Sequence, residues 1–119
     1  MKIQTGSPNA DANTVGLWHL DETDVGVGAT VYDSSGNGNH GTLSGSASTT
    51  DGRVGKGRNF DGGSRIGLGN NSTLNPTSAI TIETWFKASS FGSYNPLVSK
   101  SYTDGSWSSP YVVYLLRID

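Results

Sequence analysis

Seventeen glycines are spread through the 119 residues of this chain. Between them, no window repeats its apolar residues at the 3.6-residue spacing of an amphipathic helix. Ser, Thr, Asn and Asp fill much of the remainder, so turn chemistry interrupts the sequence every few residues. A chain punctuated this way folds into short strands joined by tight connections, and its length suits one small domain. The expectation is an all-β protein. No internal repeat stands out.

The totals narrow the function classes. A formal net charge of −2 provides no basic field to hold nucleic acid. No apolar run approaches the roughly 20 residues of a membrane helix, so no membrane insertion is expected. The absence of cysteine removes disulfides and thiolate zinc sites. The first residues, MKIQTGSPNADANT, lack an apolar core and do not read as a signal peptide.

Residues 1–13 are polar and read as a flexible lead-in, with the domain expected over 14–119. Strands are predicted over Val15 to Leu20 (VGLWHL), Ala29 to Tyr32 and Ser64 to Leu68; His40 to Leu43 resumes an extended path, and Arg58 to Asp61 reads as a strand end. Ser44 to Asp51 reads as a polar connector. Gly52 to Gly57 (GRVGKG) lacks the G-K-[ST] ending of a phosphate loop and reads as a hairpin turn. Ala79 to Ala88 (AITIETWFKA) alternates clearly: Ile80, Ile82, Thr84 and Phe86 share one face, and Thr81, Glu83, Trp85 and Lys87 the other. Trp18 and Trp85 are placed on strands as core residues. Leu97 to Ser99 is a stub strand. Tyr111 to Ile118 (YVVYLLRI) is apolar on both faces, as in a central strand. That predicts further strands to cover it, or pairing with another chain.

The stretch Asp33-Ser-Ser-Gly-Asn-Gly-Asn39 supports two readings. Calcium takes six to eight hard oxygens, and Gly-rich backbone can turn its carbonyls inward. Asp33, Ser35, Asn37 and Gly38 fit positions 1, 3, 5 and 6 of a helix-flanked calcium loop. Ser44 stands where its closing Glu should be, and no helices flank it. The loop is short of carboxylate, and a second acid would have to come from Asp21, Glu22, Asp24 or Asp61. In the other reading, Ser35-Gly36 and Asn37-Gly38 are turn dipeptides and Asp33 caps its own loop.

Five pieces in order, GLWHLDE, VYDSSGNGNHGTL, GRVGKGRNFDGGSRIGL, AITIETWFKA and LVSK, resemble the laminin-G-like, concanavalin A-like lectin/glucanase superfamily. The resemblance runs from about Val15 to Ile118. It implies an antiparallel two-sheet β-sandwich of jelly-roll type, of which this chain looks like the N-terminal part. It also implies a structural calcium at the quoted loop, with Asp33, Asn37, Asn39 and Asp21 as candidate ligands. Members are often sugar-directed modules of larger secreted or cell-surface proteins, so the expected setting is extracellular.

Catalysis is not expected. Glycoside hydrolysis needs two carboxyl groups roughly 5 to 10 Å apart. Hydrolytic relatives carry acids like E-x-D-x-x-E on one strand, whereas Ile80 to Ala88 has only Glu83, with Trp85 and Ala88 in the other places. His19 and His40 have no evident nucleophile beside them, and His40 is expected to pack or hydrogen-bond in its loop. For sugar binding, aromatic rings stack on sugar C–H faces. Trp107 (DGSWSSP), Tyr94 (GSYNP) and Tyr102 (SYTDG) lie in polar loops, where binding residues concentrate; alternatively they close over a core edge. Asn70-Asn71-Ser72-Thr73 holds two glycosylation sequons, relevant only in a eukaryotic secretory setting. The expected function is a non-catalytic recognition or adhesion module for a glycan or cell-surface ligand. The competing expectation is an interaction protein whose open strand pairs with another chain or with its own copy.

Overall fold

The computed structural model describes residues 7–90, 92, 95–101 and 112–118. Among them there are seven strands, one three-residue 3-10 turn (Ser72–Leu74) and no α-helix. All pairings are antiparallel. The chain divides into two compact units, Met1–Leu74 and Asn75–Asp119. The protein is therefore all-β, built from small antiparallel sheets.

The first unit holds two sheets. In one, β1 (Thr30–Val31), β2 (Gly41–Ser44) and β5 (Arg65–Gly67) lie in the order β1-β2-β5. The period-two rule explains its faces. Val31, Gly41 and Leu43 point inward and are buried, while Thr30 and Thr42 point to solvent. Ile66 sits opposite Leu43. Two further hydrogen bonds, Gly28 N–H to Leu43 O and Leu43 N–H to Ala29 O, both 2.8 Å, carry the pairing past the end of β1. Ala29, Val31, Leu43 and Leu74 are the buried apolar residues among those described. Gly41 allows the close packing: a Cβ there would stand 2.5 Å from Ile66 and 2.9 Å from Leu68.

The other sheet is a hairpin of β3 (Ala47–Asp51) and β4 (Lys56–Phe60). Gly52 N–H bonds to Gly55 O at 2.9 Å, and Gly55 has φ +64°, as the tight turn requires. The GRVGKG stretch is thus the hairpin turn expected. Ser44 to Asp51 departs from expectation: Ala47–Asp51 is a strand, although four of its five residues are exposed. Backbone pairing with β4 and β-branched Thr49 and Thr50 suffice to hold it extended. The Lys56–Asp51 ion pair at 2.7 Å closes the turn but is exposed and contributes little.

Two expected strands are corrected. Val15 to Leu20 forms only a single antiparallel bridge, Trp18 to Asp33. Its other contacts run to loops, and Leu20 turns the chain with φ 61°, a strained conformation for a branched residue. Ala79 to Ala88 carries neither helix nor strand. An alternating pattern prepares a strand, but a ladder also requires a neighbour, and no sheet among the described residues includes this segment. The core placement of Trp85 fails with it, since Trp85 is 76 % exposed. Trp18 is half-buried.

In the second unit, β6 (Asn95–Ser101) pairs with β7 (Val112–Ile118). The expected stub at 97–99 is therefore a seven-residue strand. The register shifts between Pro96 and Val98, where proline has no N–H to give the ladder. No helix among the described residues is long and apolar enough to cross a membrane.

Candidate functional site

The loop after β1 is organised around one carboxylate. Asp33 is 7 % exposed, and its two oxygens receive four hydrogen bonds. Oδ1 accepts from the backbone N–H of Leu17 (2.9 Å) and of Ser35 (2.8 Å). Oδ2 accepts from the Ser35 hydroxyl (2.8 Å) and the Asn39 N–H (2.9 Å). Charge-assisted bonds of this kind are the strong ones. Burial alone would push the Asp33 carboxyl up, but these donors outweigh it and hold it below the ordinary aspartate value. Glycines at 36 and 38, with φ of 90° and 71°, let the chain curl around the carboxylate.

The two asparagines stitch this loop to its neighbours. The Asn39 side-chain amide donates to Val15 O at 2.7 Å and to Thr73 Oγ1 at 2.9 Å, and the Asn39 backbone carbonyl accepts from the Trp18 indole N–H at 2.8 Å. The Asn37 amide donates to Thr14 O at 3.0 Å. Thr14 itself belongs to a closed turn with Asp11, through bonds of 2.8 to 3.1 Å. The lead-in thus ends in an ordered turn. Asp33, Asn37 and Asn39 come together as the sequence suggested, whereas Asp21 is exposed and takes no part in this network.

Do these residues fit a calcium ion? Both carboxylate oxygens of Asp33 already accept two hydrogen bonds each, from N–H and O–H donors. The carbonyls of Val15 and Thr14 accept from the asparagine amides, and the Asn39 amide oxygen accepts from the Thr73 hydroxyl at 3.2 Å. Among the described residues no three His, Cys, Asp or Glu side chains gather where a metal could be held. The arrangement does not fit the ion: calcium would have to displace the donors that shape the loop.

A second buried polar group lies nearby. Arg58 on β4 is 8 % exposed. Its Nη2 meets Glu22 Oε2 at 2.9 Å, and its Nη1 donates to Asp24 O at 3.0 Å. Its Nε is buried with no hydrogen-bond partner among the described residues. The other Glu22 oxygen accepts the Tyr32 N–H at 2.7 Å. One glutamate therefore ties the guanidinium to the strand end that carries Tyr32.

Tyr32 was not singled out by sequence reasoning. It is 58 % exposed, and its ring meets His40 edge-on, with centroids 5.5 Å apart and planes at 73°. His40 Nδ1 accepts the Asp33 N–H at 3.0 Å, which orients the ring. Thr30 and Thr42 are exposed on the same strands. The signal available in the sequence was weak: YDSSGNGNH puts an aromatic and a histidine at the two ends of one loop. Trp107, Tyr94 and Tyr102, the aromatics selected from sequence, lie outside the described residues. Compared with protein-family models, with curated proteins and with solved structures, the chain gave no match in any of the three.

Proposed function

We propose that this chain is a non-catalytic recognition module, a laminin-G-like β-sandwich unit that binds carbohydrate on an extracellular or cell-surface protein. The observation that carries the reading is Tyr32: an exposed ring whose backbone N–H is held by Glu22 and whose flank is held by His40. A preorganised aromatic loses little freedom when a sugar face stacks on it. Threonine hydroxyls beside it supply hydrogen-bonding groups. The buried ionisable groups point away from catalysis, because Asp33 and Arg58 are occupied in holding loops. Trp107, Tyr94 and Tyr102, aromatics in polar stretches of the sequence, are a separate set of candidates for the same kind of contact.

A glycan array tests it. Wild type is expected to bind a restricted set of glycans, and Tyr32→Ala to weaken that binding at least about tenfold with an unchanged fold. Wild type binding no glycan would reject the carbohydrate reading. Loss with Trp107→Ala and not with Tyr32→Ala would move the site to the later loops.

In this reading the Asp33 loop is held by its own hydrogen bonds and not by calcium. Thermal melts in calcium and in chelator are expected to share one midpoint. A bound ion at about 100 times its dissociation constant would instead add about 2.7 kcal/mol and raise the midpoint clearly.

A further inference from the structure

The segment 79–90 has the alternation of a strand, lies in no sheet among the described residues, and exposes its large side chains: Ile80 is 43 %, Phe86 54 % and Trp85 76 % exposed. Only Ile82 between 79 and 88 is half-buried. We propose that this segment pairs antiparallel with the same segment of a second copy of the chain, in the register that sets Trp85 opposite Trp85.

Charge selects both the occupant and the register. Glu83 and Lys87 lie symmetrically about Trp85, two positions to either side and on the same strand face. In the Trp85-centred register, Glu83 of each copy stands directly opposite Lys87 of the other, and the two-fold axis forms this pair twice. Thr84 then faces Phe86 and Ile82 faces Ala88. Every competing arrangement is poorer. Centring on Glu83 sets glutamate against glutamate, and centring on Lys87 sets lysine against lysine. A one-residue slip puts Glu83 against Phe86 or Ala88, and a two-residue slip can put it against Trp85; each leaves both charges unpaired across the strands. In-register parallel stacking aligns like charges throughout. A net charge of −2 adds little general repulsion between copies. The inference does not depend on the glycan reading.

The test is sedimentation over a concentration series, with circular dichroism to confirm that each variant is folded. Wild type is expected to be a reversible dimer. Glu83→Lys and Lys87→Glu each create two like-charge pairs and should weaken the dimer on the order of tenfold. The double variant Glu83→Lys/Lys87→Glu restores both opposite pairs and should return the wild-type dissociation constant. Because the chain has no cysteine, Trp85→Cys adds a single thiol. Directly opposed residues have Cα atoms roughly 4.5 to 5.5 Å apart, within disulfide reach, so this variant should oxidise to a covalent dimer. Thr81→Cys, which would face Ser89 of the other copy, should not. Wild type remaining monomeric throughout, a double variant no better than the singles, or equal cross-linking at 81 and 85 would each overturn the proposal.

Discussion

Replacing Asp33 with asparagine is expected to destabilise the first unit by about 3–5 kcal/mol, read as a fall in the urea midpoint or loss of the folded baseline. The substitution keeps shape and size. It fails on hydrogen-bond polarity, because all four partners of Asp33 are donors, on Leu17, Ser35 twice and Asn39. An amide NH2 in place of one oxygen would oppose two of them and leave them buried without acceptors. It would also remove the charge that strengthens the other pair. A change below about 1 kcal/mol would show that the loop is held by something else. The same carboxylate sets a pH limb. Its folded pKa lies below the unfolded one, so its stabilising contribution is present in full above the ordinary carboxylate range. That contribution is lost as pH falls through the lower folded value, below about pH 4. Asp33→Asn should lack this portion of the acid transition.

Arg58→Ala is expected to cost about 3–5 kcal/mol, since it leaves the mostly buried Glu22 carboxylate without its cation. It also strips the donor from Asp24 O and opens the volume of a fully buried side chain. Arg58→Met with Glu22→Gln should cost several kcal/mol less than the two single losses added together, because the pair is removed as a unit. Equilibrium unfolding of the four proteins forms the cycle; simple additivity would show that the 2.9 Å contact carries no coupling. Glu22 also holds the Tyr32 N–H, so Glu22→Gln alone should disturb the exposed aromatic more than Arg58→Met does.

The all-β class was readable because glycine, asparagine and aspartate mark turns by their own backbone preferences. Val31 and Leu43 show their inward faces by simple alternation, and the self-capping of Asp33 was one of the two readings its loop allowed. Three features were not readable. β3 has no apolar face, and it is extended because β4 pairs with it across the Gly52–Gly55 turn. Residues 79–88 have a strand's pattern, but pattern cannot supply the neighbour on which a ladder depends. Arg58 was readable only as part of a strand end, since nothing near it in the sequence announces that Glu22 and Asp24, more than thirty residues earlier, close over it. Long-range partners made each of these outcomes, and local propensity is silent about them.

The two sheets of the first unit differ in how freely evolution can rewrite them. Ser48, Thr49 and Thr50 are exposed, so drift among strand-compatible residues there disturbs no interior. At Gly41, even a methyl group would collide with Ile66 and Leu68. Divergent lineages of this protein should therefore accumulate their differences along the hairpin and keep position 41 unchanged.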